Sequence, residues 1–281
     1  MSHNQLKTAL CLGLLSSLLL AAGWLMGGYQ GLTIGLIIAL MTNLGSYWFS
    51  DKIVLAMYSA KPADKTQYKY LHQMIEELAE KAHIPKPRIY IINSPQANAC
   101  ATGRNPQHAV VACTTGILSL LTKEELRGVL GHELSHITNH DILISSVAAG
   151  IAAVISYIAF IARWAAIFGG GRNRDNNGVE LVVLAILTPI IATLLQLAIS
   201  RSREYLADQS GATLTSNPEA LARALEKISG SVKAHPFAAH AATTATAHLF
   251  ISNPLSANVL VSLLSTHPPM EARVKKLRSM K

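Results

Sequence analysis

The sequence predicts a mainly α membrane protein, with four transmembrane helices and an α+β domain built around a small β-sheet. Half of the residues are hydrophobic and only 14% are charged. The apolar residues gather into long, nearly uncharged runs. The polar stretches between the runs alternate short strand-like segments with helical periodicity.

Four runs are long enough to span: Ala9 to Met26, Leu32 to Phe49, Ile142 to Ala162 continuing toward Phe168, and Val179 to Ser200. Each holds about 18 residues or more, sufficient for a hydrocarbon layer of roughly 30 Å at about 1.5 Å per residue. The first run could pass for a cleaved signal peptide, with Lys7 before it and Ala21-Ala22-Gly23 near its end. Apolar sequence resumes at once, however, so the first two runs read as a hairpin turning about Gly27, Gly28 and Gly31. That turn has no Lys or Arg, whereas Lys7 precedes the hairpin and Lys52, Lys61, Lys65 and Lys69 follow it, which places both flanks in the cytoplasm. Arg172 and Arg174, in the outer loop of the second hairpin, argue mildly the other way, and Arg163 beside Trp164 reads as an interfacial anchor. Within the spans, Asn43 and Gln196 suit helix–helix hydrogen bonds.

The expected organisation is a transmembrane hairpin over 1–50, a cytoplasmic part over 51–140, a second transmembrane hairpin over 141–200 (spans about 142–168 and 179–200), and a second cytoplasmic part over 201–281. In the first cytoplasmic part, Tyr70, Leu71, Met74, Ile75 and Leu78 mark an amphipathic helix from about Lys65 to Ala82, ended by Ile84-Pro85-Lys86-Pro87. Arg88 to Ile92, Asn98 to Thr102 and Ala109 to Cys113 read as short strands. Asn217-Pro218-Glu219 starts a helix running to about Ile228, and Met270 to Met280 forms a last one. Ser231 to His248, rich in Ala, Thr and His, reads as a loop, because His235, His240 and His248 fit no closed metal geometry.

The net charge of +8 and pI of about 9.5 would suggest nucleic acid in a soluble protein. Here the basic residues flank the spans, so the expected partner is an anionic lipid bilayer and no nucleic acid. Cys11, Cys100 and Cys113 form no C-x-x-C pair and are odd in number, so neither a disulfide framework nor a thiolate zinc site is indicated, consistent with a reducing cytosol. Nothing in the sequence sets an oligomeric state.

The chemistry lies in Gly131-His132-Glu133-Leu134-Ser135-His136, an H-E-x-x-H motif in a stretch that should be helical. Thr122-Lys123-Glu124-Glu125 has the form of a capping box, and Leu126, Val129 and Leu130 follow at helical spacing. One turn puts His132 and His136 on the same face, where two imidazoles can grip one Zn2+, and sets Glu133 beside it as a general base. These histidines lie just before the third run and Glu204 lies just after the fourth, so the second hairpin returns Glu204 to their side of the membrane as a candidate third ligand. His140, Asp141 and Asp208 compete with it. His140 would make three ligands on one straight helix, which cannot easily close a tetrahedron, and Asp208, one turn beyond Glu204, suits an acceptor for an imidazole N–H.

Four segments resemble the HtpX-type family of zinc-dependent membrane endopeptidases, relatives of the CAAX prenyl endopeptidase: Asn98 to Gly103, Gly131 to His136, Ser202 to Asp208, and His267-Pro268-Pro269-Met270-Glu271-Ala272-Arg273. The resemblance runs nearly end to end, with Cys100 standing where a bulkier apolar residue is expected. It implies a gluzincin-like zinc metalloprotease domain with one Zn2+ on His132, His136 and Glu204, and Glu133 as the catalytic base. It further implies a cytoplasmic active site in a multi-pass protein of the bacterial inner membrane, acting on membrane-protein or peptide substrates in quality control and stress response. His267 is then the candidate oxyanion donor, or else only a helix-start residue before Pro268. Asn98 is the candidate substrate-binding residue, on a strand to which substrate backbone could add, or else an internal turn residue. The competing functions are processing of lipidated or other specific peptides, a non-catalytic zinc-bearing scaffold, and a transporter. The last is disfavoured because the spans carry few ionisable residues.

Overall fold

The structure is a computed structural model that describes residues 3–143, 201–234, 250–251 and 268–280. The expected second hairpin from residue 144 onward, His267, and the histidines of the Ser231 to His248 stretch lie outside the described residues.

Helix α1 carries helical hydrogen bonding from His3 to Met57. It is nevertheless not one straight rod: Gly28 has φ +54, and Asn43 Nδ2 donates to Ser16 Oγ at 2.8 Å. A straight helix would hold residues 27 apart at roughly 40 Å. The chain therefore doubles back at Gly28, within the expected glycine turn, and Asn43 makes the interhelical bond expected of it. Residues Gly28–Phe49 are long and apolar enough to cross a membrane. Their outward residues, among them Ile34, Ile37, Leu40, Met41 and Leu44, are exposed.

The α+β domain begins with β1 (Lys61–Pro62), α2 (Lys69–Lys81), β2 (Arg88–Ile92), β3 (Ala99–Thr102) and β4 (Val110–Thr114), followed by α3 (Thr115–Leu120) and α4 (Lys123–Thr138). Beyond the undescribed stretch come α5 (Arg201–Thr215), α6 (Pro218–Ala234) and α7 (Met270–Arg278). Helix α2 starts later than the apolar periodicity suggests because the Asp64 carboxylate accepts the N–H groups of Thr66 and Gln67, both at 2.8 Å, and holds Lys65 to Tyr68 in a turn. The Thr122–Glu125 capping box of α4 is formed in both directions. At α6, Asn217 Oδ1 accepts the Ala220 N–H at 3.0 Å.

The sheet order is β1-β2-β4-β3. Strands β2 and β4 pair in parallel, Arg88 opposite Val110, while β3 returns antiparallel on the far side of β4 with Ala101 opposite Val111. Strand β4 is therefore central and wholly buried, and β3 lies at the edge. Strand β1 was not foreseen, since it is two residues long and contains Pro62; proline is accommodated there because β1 is the opposite edge. The core joins Leu71, Ile75 and Leu78 of α2 to the inner face of the sheet and to Leu126, Val129, Leu130, Leu134 and Ile137 of α4. Cys100 and Cys113 are buried free thiols, and burial pushes Cys113 up to about 12, so neither is a reactive thiolate.

Helices α4 and α5 cross with their backbones nearly touching. A Cβ on Gly211 would lie 2.6 Å from the His132 nitrogen, and one on Gly131 would lie 2.7 Å from Thr215 Cγ2 and 3.0 Å from the Gly211 carbonyl oxygen. Gly211→Ala cannot be absorbed by a side-chain rotation, because its obstacle is backbone. It should cost about 1–3 kcal/mol of stability and force α5 away from α4. The check is a thermal unfolding midpoint and zinc affinity measured together; a variant matching wild type in both would contradict this close approach.

Candidate metal centre

Helix α4 carries His132, Glu133 and His136 on its buried side, and α5 brings Glu204 against them from the other side of the crossing. Glu204 is only 4% exposed, unlike an ordinary solvated carboxylate. The Nε2 atoms of His132 and His136 are 3.2 Å apart, His136 Nε2 is 3.5 Å from Glu204 Oε1, and His132 Nε2 is 3.8 Å from Glu204 Oε2. Ligands bound to one tetrahedral zinc at roughly 2.0–2.1 Å stand about 3.3–3.4 Å apart, so the three separations approximate the edges of such a tetrahedron.

The outer nitrogens explain why the rings are aimed this way. His132 Nδ1 is 3.0 Å from Asp208 Oδ1, and His136 Nδ1 is 3.3 Å from Asp141 Oδ2. A proton on each Nδ1 directed at a carboxylate leaves both Nε2 lone pairs facing inward. Two lone pairs at 3.2 Å repel unless a cation or a proton lies between them. The donor set therefore fits a divalent metal.

Electrostatics favour positive charge at the same point. Burial alone would depress His136, but the Asp141 hydrogen bond and the charges of Glu204 and Glu133 outweigh it and raise it to about 9. Burial prevails at His132 and holds it below the ordinary imidazole value despite Asp208. Glu133 is pushed up to about 7, by burial first and by Glu204 second. A carboxyl near 7 is matched to taking up and releasing a proton at neutral pH.

Each expected site residue that is among the described ones takes a definite place, and His267 lies outside them. His132, His136 and Glu204 converge. Asp208 lies against His132, and Asp141, one of the competing ligand candidates, lies against His136. His140 is exposed at φ +58 just past the end of α4 and takes no part. Asn98 is buried immediately before β3, with its backbone N–H and C=O paired to Thr114 and its Oδ1 accepting the Ala99 N–H at 3.2 Å.

One residue given no role from sequence is central. Arg273 of α7 has no exposed surface; its Nε and Nη2 grip the two oxygens of Asp208 at 2.8 and 2.7 Å, and its Nη1 lies 3.3 Å from Glu204 Oε2. Nη1 also donates to the Ile251 carbonyl at 3.0 Å. The only sequence signal was its place at the end of the His267 to Arg273 segment.

Edge strand β3 runs beside this centre. The Ala101 N–H donates to the Glu133 carboxylate, and the Ala99 carbonyl accepts the Ile251 N–H at 3.2 Å. Both groups point away from β4, toward the edge that a further strand would use.

A helix-borne H-E-x-x-H motif, with a carboxylate brought to it by a crossing helix as third donor and a strand alongside, is the arrangement of a metal-dependent protease. Residues 65–281 match the profile of Peptidase family M48, and the chain belongs to that family. It is 50% identical over 282 residues to a Protease HtpX homolog of Syntrophobacter fumaroxidans, covering 99% of each chain. It is also 50% identical over 269 residues to one of Aquifex aeolicus, covering 93% of this chain and 88% of the other. The crystal structure of S. mikatae Ste24p shares the fold with a TM-score of 0.54 at 17% identity; the match covers 98% of this chain and 64% of that one. The chain is a metalloprotease of mixed helices and a small sheet.

Proposed function

We propose that the chain is a zinc-dependent endopeptidase of the bacterial inner membrane that cleaves damaged, misfolded or surplus membrane proteins at the cytoplasmic face. The observation that carries this reading is the convergence of His132, His136 and Glu204 on one point, with Glu133 between that point and the edge of β3. The first three would hold the zinc, and Glu133 is the general base. Zinc held there supplies Lewis acidity toward water and toward a peptide carbonyl. Glu133 accepts the proton of the attacking water and passes it to the leaving amine. Asp208 and Asp141 fix the two rings by holding their Nδ1 protons, and Arg273 holds Asp208 and Glu204. Substrate backbone adds to β3, the mode suited to a protease that must cut many sequences, with Asn98 at the end of that strand.

The proposed topology keeps the division at 1–50, 51–140, 141–200 and 201–281, with His267 as a further donor near the developing oxyanion. The protein purified in detergent should contain about one zinc per chain, lose hydrolysis of a reconstituted membrane-protein substrate on chelation, and regain it with zinc. Full activity after complete zinc removal would refute the reading. A cysteine at Ser59, in a background lacking Cys11, Cys100 and Cys113, should resist labelling from outside intact cells.

Ala101→Pro removes the N–H that Glu133 accepts and that a substrate strand would meet. Hydrolysis should fall about tenfold or more, the consequence of one lost charge-assisted hydrogen bond of roughly 1.5–3 kcal/mol. Zinc content should stay at the wild-type level. A wild-type rate in that variant would remove β3 as the substrate platform.

A further inference from the structure

We propose that the end of the Gly28–Phe49 stretch and the β3–β4 turn together form a binding site for the phosphate of an anionic phospholipid headgroup. The proposal rests on the membrane reading of that stretch and adds a specific lipid contact to it. Trp48 and Phe49 are about half exposed, at 52% and 51%, where the apolar stretch gives way to polar sequence. Each lies beneath a cation: the Arg104 guanidinium is 4.4 Å from the Trp48 ring, and Lys52 Nζ is 5.4 Å from the Phe49 ring.

The two cations come from different parts of the fold. Lys52 belongs to α1, whereas Arg104 belongs to the turn between β3 and β4. Arg104 is held in place: it stacks on Trp48, and its Nη2 lies 2.8 Å from His108 Nε2. His108 is oriented in turn by Asn105, whose Oδ1 is 2.7 Å from His108 Nδ1. If Nδ1 carries the proton, Nε2 accepts from Arg104, which leaves the guanidinium charge uncancelled. Among the described residues neither Arg104 nor Lys52 makes an ion pair; the nearby Asp51 carboxylate is taken by Arg88. Two oriented, unneutralised cations above exposed indole and phenyl rings at the end of an apolar helix complement a lipid, with acyl chains along the helix and phosphate at the cations. Because Arg104 lies two residues past the end of β3, a headgroup bound there would hold the strand edge that receives substrate level with the membrane surface.

The test uses the full chain, purified in detergent and mixed with equal amounts of phosphatidylglycerol and phosphatidylcholine of identical acyl chains, with retained lipids counted by native mass spectrometry. Wild type should retain phosphatidylglycerol several-fold over phosphatidylcholine, and the preference should fall about fivefold for each cation removed in Arg104→Gln and Lys52→Gln. Hydrolysis of a short soluble peptide should be unchanged in both variants, which shows that they are folded. Equal retention of the two lipids by wild type, an undiminished preference in the double variant, or displacement of phosphatidylglycerol by millimolar inorganic phosphate would each overturn the headgroup site. Carbonate-resistant membrane retention of the same variants reports the membrane reading separately, so its failure is distinguishable from failure of the lipid site.

Discussion

Glu133→Gln should lower peptide hydrolysis by roughly 10²–10⁴-fold, the usual contribution of a positioned general base, while zinc content stays near that of wild type. The amide preserves the shape and can still take the Ala101 N–H on its oxygen, so the surroundings of the site should change little. What it cannot do is accept a proton. Burial raises the native carboxyl to about 7, so the lost capacity is one poised for proton exchange near neutrality. Glu204→Ala is the informative counterpart: it removes one of the three converging donors and should lose zinc and activity together. Zinc content and cleavage should be measured on the same samples. Full zinc occupancy in the Glu204 variant would show that another group is the third ligand, and near-normal cleavage by the Glu133 variant would remove it as the base.

Features governed by local sequence were readable in advance. Thr122 and Glu125 announce the start of α4, and the four-residue spacing of His132 and His136 puts both on one face whatever the rest of the chain does. Strand β2 could be read because its residues alternate within bounding prolines and turns. The glycine turn in α1 followed from an interruption in apolar sequence. Glu204 was accessible through topology and through the resemblance carried by its segment, since it lies 68 positions after His136 and nothing in its local pattern distinguishes it from a surface carboxylate. The sheet order was not accessible at all. Making β2 and β4 parallel neighbours and leaving β3 at the edge depends on pairings between segments whose local patterns are alike. Gly211 likewise carries no local signal, because its role depends on how closely His132 approaches it. Cys100 is buried with Val54, Leu55, Ile92, Val110, Ala112 and Phe250.

Arg273→Ala should be the most destabilising single change outside the ligand set, by about 3–5 kcal/mol, the cost typical of removing one partner from a buried ion pair. The native guanidinium is wholly buried and bonds both oxygens of Asp208, lies 3.3 Å from Glu204 and donates to the Ile251 carbonyl. Burial by itself would raise the Asp208 carboxyl, yet Arg273 and His132 hold it down to about 2, so it is a buried carboxylate whose compensation comes largely from this one side chain. In the native protein Asp208 and Glu204 are only 2% and 4% exposed, so removing the guanidinium strips two buried carboxylates of their largest source of compensation. The melting temperature should fall by roughly 10 °C. Zinc should restore part of the loss, because a divalent ion bound to the folded state neutralises the same carboxylates and stabilises that state by mass action. Arg273→Lys should lie between the two, since an ammonium keeps the charge but cannot grip both Asp208 oxygens while also reaching Glu204 and Ile251. The measurement is thermal unfolding of the three proteins with and without a fixed excess of zinc. An alanine variant melting within about 2 °C of wild type would mean that solvent or another cation already compensates these carboxylates and that Arg273 does not hold the centre together.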